Sequence, residues 1–156
     1  MGAGRSGTTA FATFLGNNKN IQNIGEMHQF FECLDENKEC SCGKLLNECE
    51  FWKNKIDNPN QEYSTDSRKL SEKMESHSSI AKHLLSLFPK KELAHYKDLH
   101  EQLLSLILAE SEKSILLDSS KYIGRALALN NLNNINFEKL DKPRGGGRTM
   151  WIRLFC

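Results

Sequence analysis

The residues best suited to chemistry lie in a glycine-rich stretch at the start of the chain. It reads MGAGRSGTT, and the apolar residues Phe11, Phe14 and Leu15 that follow predict a helix from Thr8 to Gly16. Converging backbone N–H groups and the positive end of a helix dipole together bind phosphate or sulfate groups. The sequence therefore predicts an anion site built by Gly4, Arg5, Ser6, Gly7, Thr8 and Thr9.

This loop differs from the nucleotide-binding P-loop, GxxxxGKS/T, at one important position. The lysine that reaches the β- and γ-phosphates of ATP is replaced by Thr8, and the positive charge lies earlier, at Arg5. The difference disfavours a kinase or another ATP-binding protein, which we keep as an alternative. A glycine-rich turn that merely precedes a helix is the simplest alternative.

Two more candidates follow predicted strands. Residues 21–24 alternate between apolar and polar types and precede Gly25 and Glu26, whereas residues 114–118 form a continuous apolar run that ends in an acid and precedes Lys121. Ligands of α/β proteins bind at the carboxyl edge of the sheet. We therefore expect the carboxylate of Glu26 and the ammonium group of Lys121 at this edge, where a ligand would bind. The alternatives are that Glu26 is an ordinary residue at the start of a helix and that Lys121 is an exposed lysine without a function in a site.

Four cysteines, Cys33, Cys40, Cys42 and Cys49, lie close together in a polar stretch. Four thiolates can bind zinc, but the C-x-C spacing is shorter than the usual two to four intervening residues. A disulfide is a further alternative in an exported protein. Reduced structural thiols are favoured, so no metal ligands are predicted.

Three stretches resemble one family in the same order along the chain, the bacterial-type P-loop sulfotransferases. RSGTT is similar to the K/R-S-G-T-T core of their 5′-phosphosulfate loop, and Gly25-Glu26 resembles a Gly-Glu pair about twenty residues further on. CSCGKLLNECEFW resembles a cysteine-bearing insertion, and LLDSSKYIGRALAL resembles V/L-D-S-S-K-x-x-x-R-A-x-x-L. The resemblance implies a P-loop-type three-layer α/β/α fold with a parallel sheet.

The resemblance also implies a reaction and its participants. The donor would be 3′-phosphoadenosine 5′-phosphosulfate, and the acceptor would be a hydroxyl or amine on a small molecule or glycan. Residues 4–9 would hold the phosphosulfate, with Arg5 and Lys121 as cations at the sulfuryl group and Glu26 as the base. No metal is required. Arg144, in an element that resembles the family's 3′-phosphate segment, is the candidate for that phosphate.

The chain departs from the family pattern at both ends, which predicts a fragment. Met1 abuts Gly2 where a strand would precede the loop, and the Arg-Asp pair expected before Pro143 is absent. We expect one partial domain, 1–156, with a cysteine-bearing loop at 33–66 and a helical insertion at 67–112. Within this insertion, apolar stripes at Ile80, Leu84, Leu87, Phe88 and at Leu99, Leu103, Leu106, Ile107 predict packing helices. In the tail, 141–156, the apolar residues recur with neither the period of a helix nor the alternation of a strand.

Composition restricts the partners. The 21 basic and 20 acidic residues leave a net charge of +1, so no overall field favours nucleic acid or a membrane surface. The chain has no long apolar run, and its five cysteines are an odd number that fits reduced thiols. We expect a cytoplasmic protein. A non-catalytic zinc or interaction module built on the cysteines is the remaining alternative.

Overall fold

The computed structural model of the chain describes residues 8–57, 63, 65–132, 136–141 and 150–155. Four strands lie in these ranges: Ile21–Gly25 (β1), Ile115–Asp118 (β2), Asn136–Asp141 (β3) and Met150–Phe155 (β4). The α-helices of the same ranges are Thr8–Gly16 (α1), Phe30–Asp35 (α2), Lys53–Ile56 (α3), Thr65–Glu75 (α4), Ile80–Leu84 (α5), Lys90–Ser111 (α6) and Ile123–Leu129 (α7). The chain is therefore of the mixed α/β class, as the sequence predicts.

The four strands form one sheet in the order β1-β2-β4-β3. Strands β1 and β2 are parallel, with Ile21 opposite Ile115 and Asn23 opposite Leu117. Strand β4 is antiparallel to both of its neighbours, β2 and β3. The predicted parallel pairing is thus observed for β1 and β2 alone, and the three-layer P-loop arrangement stays a prediction.

Strand β4 lies in the tail, where the sequence shows no strand period. Its residues, MWIRLF, form an almost continuous apolar run. Such a run is compatible with a strand but lacks the alternation that identifies one. Pairing on both sides, with β2 and with β3, satisfies its backbone hydrogen-bonding groups. The expectation of a tail without a strand is therefore wrong for Met150–Phe155.

Helix α1 has the predicted bounds, but a different face packs on the sheet. Phe11 and Phe14 are 40% and 71% exposed. Ala12 is buried instead, and with the partly buried Leu15 it packs against Leu117 of β2. A small side chain allows the helix to lie close to the strand, so Ala12 rather than the two phenylalanines determines which face is buried.

The long helix α6 provides one side of the main core. Leu99, Leu103 and Ile107 are buried, as their spacing predicts, and Leu104 and Leu108 widen the apolar face. This face belongs to one cluster with buried residues of β1, β2, α2 and the cysteine-bearing loop, namely Ile24, Leu116, Phe30, Phe31, Leu46 and Trp52. Helices α6 and α2 therefore cover one face of the parallel strand pair. Helix α1 packs on the other face, at Leu117.

Helix α5 is shorter than the predicted leucine stripe. It ends at Leu84, and Ser86 adopts a positive φ of 54°, with the Leu87 amide donating to the Lys82 carbonyl at 2.8 Å. This is a typical helix-ending hydrogen bond. Because the chain turns at Ser86, Leu84 and Leu87 are exposed and only Phe88 is buried. The prediction of a packing stripe is wrong for Leu84 and Leu87.

A buried network of charged groups joins three helices to the sheet. The Arg125 Nε of α7 donates to Asp118 Oδ2 at the end of β2, at 2.7 Å. Its Nη1 donates to Glu75 Oε1 at the end of α4, at 2.5 Å, and Tyr96 on α6 donates to the same oxygen at 2.9 Å. All four side chains are buried. Their ion pairs and hydrogen bonds compensate for the loss of solvation that burial imposes.

A glycine allows α7 to approach α4 this closely. A Cβ atom at Gly124 would lie 2.3 Å from the carbonyl oxygen of Glu75 and 2.5 Å from that of Ser76. No side chain fits at that distance, so the approach requires glycine at the first turn of α7. The backbone contact places Arg125, the next residue, within reach of Glu75.

His100 completes the network as a buried imidazole. Its Nδ1 lies 3.0 Å from the Tyr96 carbonyl oxygen, which can only accept, so Nδ1 carries the proton. Nε2 lies 3.2 Å from Glu75 Oε1 and 3.4 Å from Arg125 Nη1. Burial lowers the pKa of His100, and this effect exceeds the opposing effect of the Glu75 carboxylate.

We expect the stability of the protein to fall as the pH drops below about 6.5, the pKa of an exposed histidine. The pKa of His100 is lower in the folded than in the unfolded chain, so the unfolded chain binds more protons in this range. The free energy of unfolding therefore decreases by at most about 1.4 kcal/mol per pH unit for this group. Urea unfolding at several pH values measures this free energy. His100→Gln should weaken the pH dependence, whereas exposed His95→Gln should retain it; equal profiles for both variants contradict the assignment.

Candidate functional site

The candidate site lies at the carboxyl ends of the two parallel strands. β1 ends at Gly25 with a φ of +74°, which favours glycine, and Glu26 follows. β2 ends at Asp118, and the next residues lead to Lys121 before α7 begins. The Ser119 amide donates to the Gly25 carbonyl at 2.8 Å. Parallel strands with a common carboxyl edge thus place the two segments side by side, as the sequence predicts.

Asp118 holds these two segments together. Its Oδ1 accepts a hydrogen bond from the Ser120 amide at 2.8 Å and a longer one from the Met27 amide at 3.4 Å. Its Oδ2 is bound to Arg125. One buried carboxylate therefore contacts the turn after β1, the turn after β2 and helix α7. Because Asp118 is fully buried, its carboxylate positions these segments from inside the protein.

Glu26 and Lys121 form an ion pair at this edge. Lys121 Nζ lies 2.8 Å from Glu26 Oε1, and both side chains are 31% exposed. The structure thus brings together the two residues named from the sequence as base and cation. A carboxylate that can accept a proton and an ammonium that can neutralise a developing negative charge are here in direct contact and accessible to solvent.

Two further residues, His28 and Tyr122, lie near this site and were not predicted from the sequence. The Ser120 hydroxyl accepts a hydrogen bond from the His28 amide at 3.0 Å and lies 3.3 Å from its Nδ1. The Tyr122 ring packs on the imidazole with centroids 4.3 Å apart. Burial lowers the pKa of His28, so the ring is neutral near pH 7. The sequence feature that could have identified His28 is its position two residues after Glu26.

A cleft of about 520 Å³ opens beside Glu26. This volume is within the range of sites for small molecules and cofactors. Its lining comes from α1, the end of β1, the turn after β2 and the cysteine-bearing loop, and includes Ala12, Thr13, Asn23, Gly25, Glu26, Ser119, Cys40, Cys42, Cys49 and Trp52. Helix α1 therefore forms one wall of the cleft, and the predicted base lies on another.

The predicted anion loop is only partly described. Thr8 and Thr9 form the start of α1, as expected. Gly4, Arg5, Ser6, Gly7 and the proposed 3′-phosphate ligand Arg144 lie outside the described residues. Among the described residues of α1, Ala12 and Thr13 line the cleft.

The cysteine-bearing loop brings three of its thiols together. The sulfur atoms of Cys40, Cys42 and Cys49 all lie within 4.8 Å of one another, and all three residues line the cleft. Cys33 is partly buried and packs against the main core. Of the four cysteines considered from the sequence, three therefore have clustered thiols and Cys33 does not belong to the cluster.

Comparisons with protein-family models, with curated proteins and with solved structures find no match. A functional assignment must therefore be argued from the site itself. In the described ranges, no helix combines the length and the apolar character that crossing a bilayer requires.

Proposed function

We propose that this chain belongs to a sulfotransferase that moves a sulfuryl group from 3′-phosphoadenosine 5′-phosphosulfate to a hydroxyl or amine. The observation that supports it most is the 2.8 Å contact between Lys121 and Glu26 at the ends of two adjacent parallel strands. Sulfuryl transfer needs a base on the acceptor and a cation where negative charge develops. These two groups meet beside a cleft of suitable size.

In the proposed reaction, Glu26 accepts the proton of the acceptor hydroxyl or amine. The acceptor oxygen or nitrogen forms a bond to sulfur, while the bond between sulfur and the bridging phosphate oxygen breaks. The electron pair of that bond stays on the phosphate, which leaves as adenosine 3′,5′-bisphosphate. Lys121 stabilises the charge that develops on the transferring group, since its ammonium has three N–H donors and can bind Glu26 and a sulfuryl oxygen together.

The turn after β2 supports this function by fixing the position of Lys121. Asp118 binds the Ser120 amide, and Ser120 in turn binds the His28 amide, so the residues on either side of the ion pair are hydrogen-bonded across the two segments. A site held in this way needs little reorganisation when the reaction occurs. Residues Gly4 to Thr9, with Arg5 as their cation, would hold the 5′-phosphosulfate at the start of α1.

Binding of the product nucleotide tests the proposed donor. Isothermal titration of the full chain should show binding of adenosine 3′,5′-bisphosphate and much weaker binding of magnesium ATP. Arg5→Ala should weaken the bisphosphate affinity about 10- to 100-fold, the value of a hydrogen bond to a charged group.

Arg68→Ala is the matched control. Arg68 pairs with Asp35, Glu36 and Glu72 at the surface and does not line the cleft, so its removal should leave the affinity unchanged. A preference for magnesium ATP would favour the kinase alternative. Unchanged bisphosphate affinity in Arg5→Ala would remove Arg5 from the donor site.

A further inference from the structure

The three thiols on the cleft wall have the separations of metal ligands. The Cys49 sulfur lies 3.5 Å from that of Cys40 and 3.6 Å from that of Cys42. In a tetrahedral zinc site the Zn–S bonds are about 2.3 Å, so two ligand sulfurs lie about 3.8 Å apart. The observed separations are close to this value. An ion could therefore bind all three sulfurs with small side-chain adjustments.

The backbone around Cys40 and Cys42 forms a tight turn that holds these thiols on one side. The Cys40 amide donates to the Lys44 carbonyl at 2.8 Å, and the Gly43 amide donates to the Cys40 carbonyl at 2.8 Å. Gly43 has a φ of +84°, which favours glycine. The turn thus brings together Cys40 and Cys42, although they are separated by only one residue, a spacing shorter than that of the usual zinc sites.

Cys49 is positioned by a second turn. The chain passes through a short 3₁₀ helix, Leu46–Glu48, after which the Cys49 amide donates to the Leu45 carbonyl at 2.9 Å and the Trp52 amide donates to the Cys49 carbonyl at 2.9 Å. Cys49 is buried, whereas Cys42 is exposed. The two turns therefore bring the exposed Cys42 and the buried Cys49 together, with their sulfur atoms 3.6 Å apart.

We propose that Cys40, Cys42 and Cys49 bind one Zn²⁺ ion, with the fourth coordination position open to the cleft. Sulfur ligands in a tetrahedral arrangement favour zinc among the abundant divalent ions. A disulfide would use two of the thiols and leave the third without a function, although Cys49 is close to both others. In the described ranges no fourth histidine, cysteine or carboxylate atom joins the group. Since the three cysteines line the cleft, a water molecule there can complete the coordination.

The ion would fix the wall of the cleft that the cysteine-bearing loop forms. Residues 40–49 have little regular structure, and their apolar contacts with the main core come from Leu46, Cys49 and the partly buried Cys40. Because the three thiols are assembled into one site only in the folded chain, binding of the metal would stabilise the folded form of this segment. This inference stands independently of the proposed sulfuryl transfer, because it assigns no step of that reaction to the ion.

Metal analysis of the full chain, purified under reducing conditions, tests the proposal. We expect one zinc ion per chain. Cys42→Ser changes an exposed ligand and should reduce the zinc content at least tenfold. Cys33→Ser is the matched control, since Cys33 lies outside the cluster, and it should retain the full content. Far-ultraviolet circular dichroism of each variant shows whether it is folded.

Substitution with Co²⁺ tests the number of thiolates and the open position. We expect visible bands of tetrahedral cobalt together with sulfur-to-cobalt charge transfer, and a change in the visible bands when imidazole or cyanide is added. Reduced protein that binds neither zinc nor cobalt would overturn the proposal. Loss of zinc in folded Cys33→Ser, or a cobalt spectrum that added ligands leave unchanged, would overturn the open fourth position.

Discussion

Replacement of Glu26 by glutamine lowers the rate of sulfuryl transfer about 10²- to 10⁴-fold, the usual contribution of a general base, if the proposed function is correct. Glutamine keeps the size and hydrogen-bonding capacity of the side chain but cannot accept the proton. The affinity for adenosine 3′,5′-bisphosphate should change much less. Release of this nucleotide from 3′-phosphoadenosine 5′-phosphosulfate, with a panel of alcohols, sugars and amines as acceptors, measures the rate.

Glu92→Gln is the matched control for this variant. Glu92 also pairs with a lysine, Lys73, and its side chain is 36% exposed, against 31% for Glu26. It does not line the cleft, so the control should retain the transfer rate. If Glu26→Gln instead loses donor affinity and keeps its turnover, Glu26 is a binding residue and not the base.

Replacement of Arg125 by methionine should destabilise the protein by about 3–5 kcal/mol, the cost of removing one partner from a buried ion pair. Methionine fills much of the same volume but leaves Asp118 and Glu75 buried without their cation. Glu75 Oε2 already has no hydrogen-bond partner among the described residues. Urea denaturation followed by circular dichroism gives the free energy of unfolding.

Two further variants distinguish the loss of charge compensation from loss of packing. Arg68→Met removes an arginine that contacts three carboxylates at the surface, and it should have a much smaller effect because solvent screens these pairs. Adding Asp118→Asn and Glu75→Gln to Arg125→Met removes the uncompensated charges, so it should recover part of the lost stability. An Arg125→Met protein as stable as the wild type would show that the network contributes little.

The elements that hold the candidate site could be predicted because local rules determine them. A run such as SILLD has few alternatives to a buried strand, and Gly25 ends the preceding alternation where a positive φ is needed. Once two strands are parallel, the residues that follow them share one edge of the sheet. The proximity of Glu26 and Lys121 follows from these rules.

The parts that were not predicted depend on contacts between distant segments. The network around Arg125 combines residues from four elements, and none of them has a sequence pattern that identifies its partners. The exposure of Leu84 and Leu87 follows from a turn at Ser86 that the leucine spacing does not reveal. The thiol cluster likewise depends on two separate turns, so spacing alone argued against it.

The nuclear magnetic resonance spectrum of the full chain, titrated with adenosine 3′,5′-bisphosphate, tests the central claim most directly. The claim is that the carboxyl ends of β1 and β2, together with the start of α1, bind the sulfuryl donor. We expect saturable shifts of the amide resonances of Gly25, Glu26 and residues 119–121, with little effect of magnesium ATP. Saturable shifts confined to other parts of the chain, or their absence at millimolar nucleotide, would contradict it.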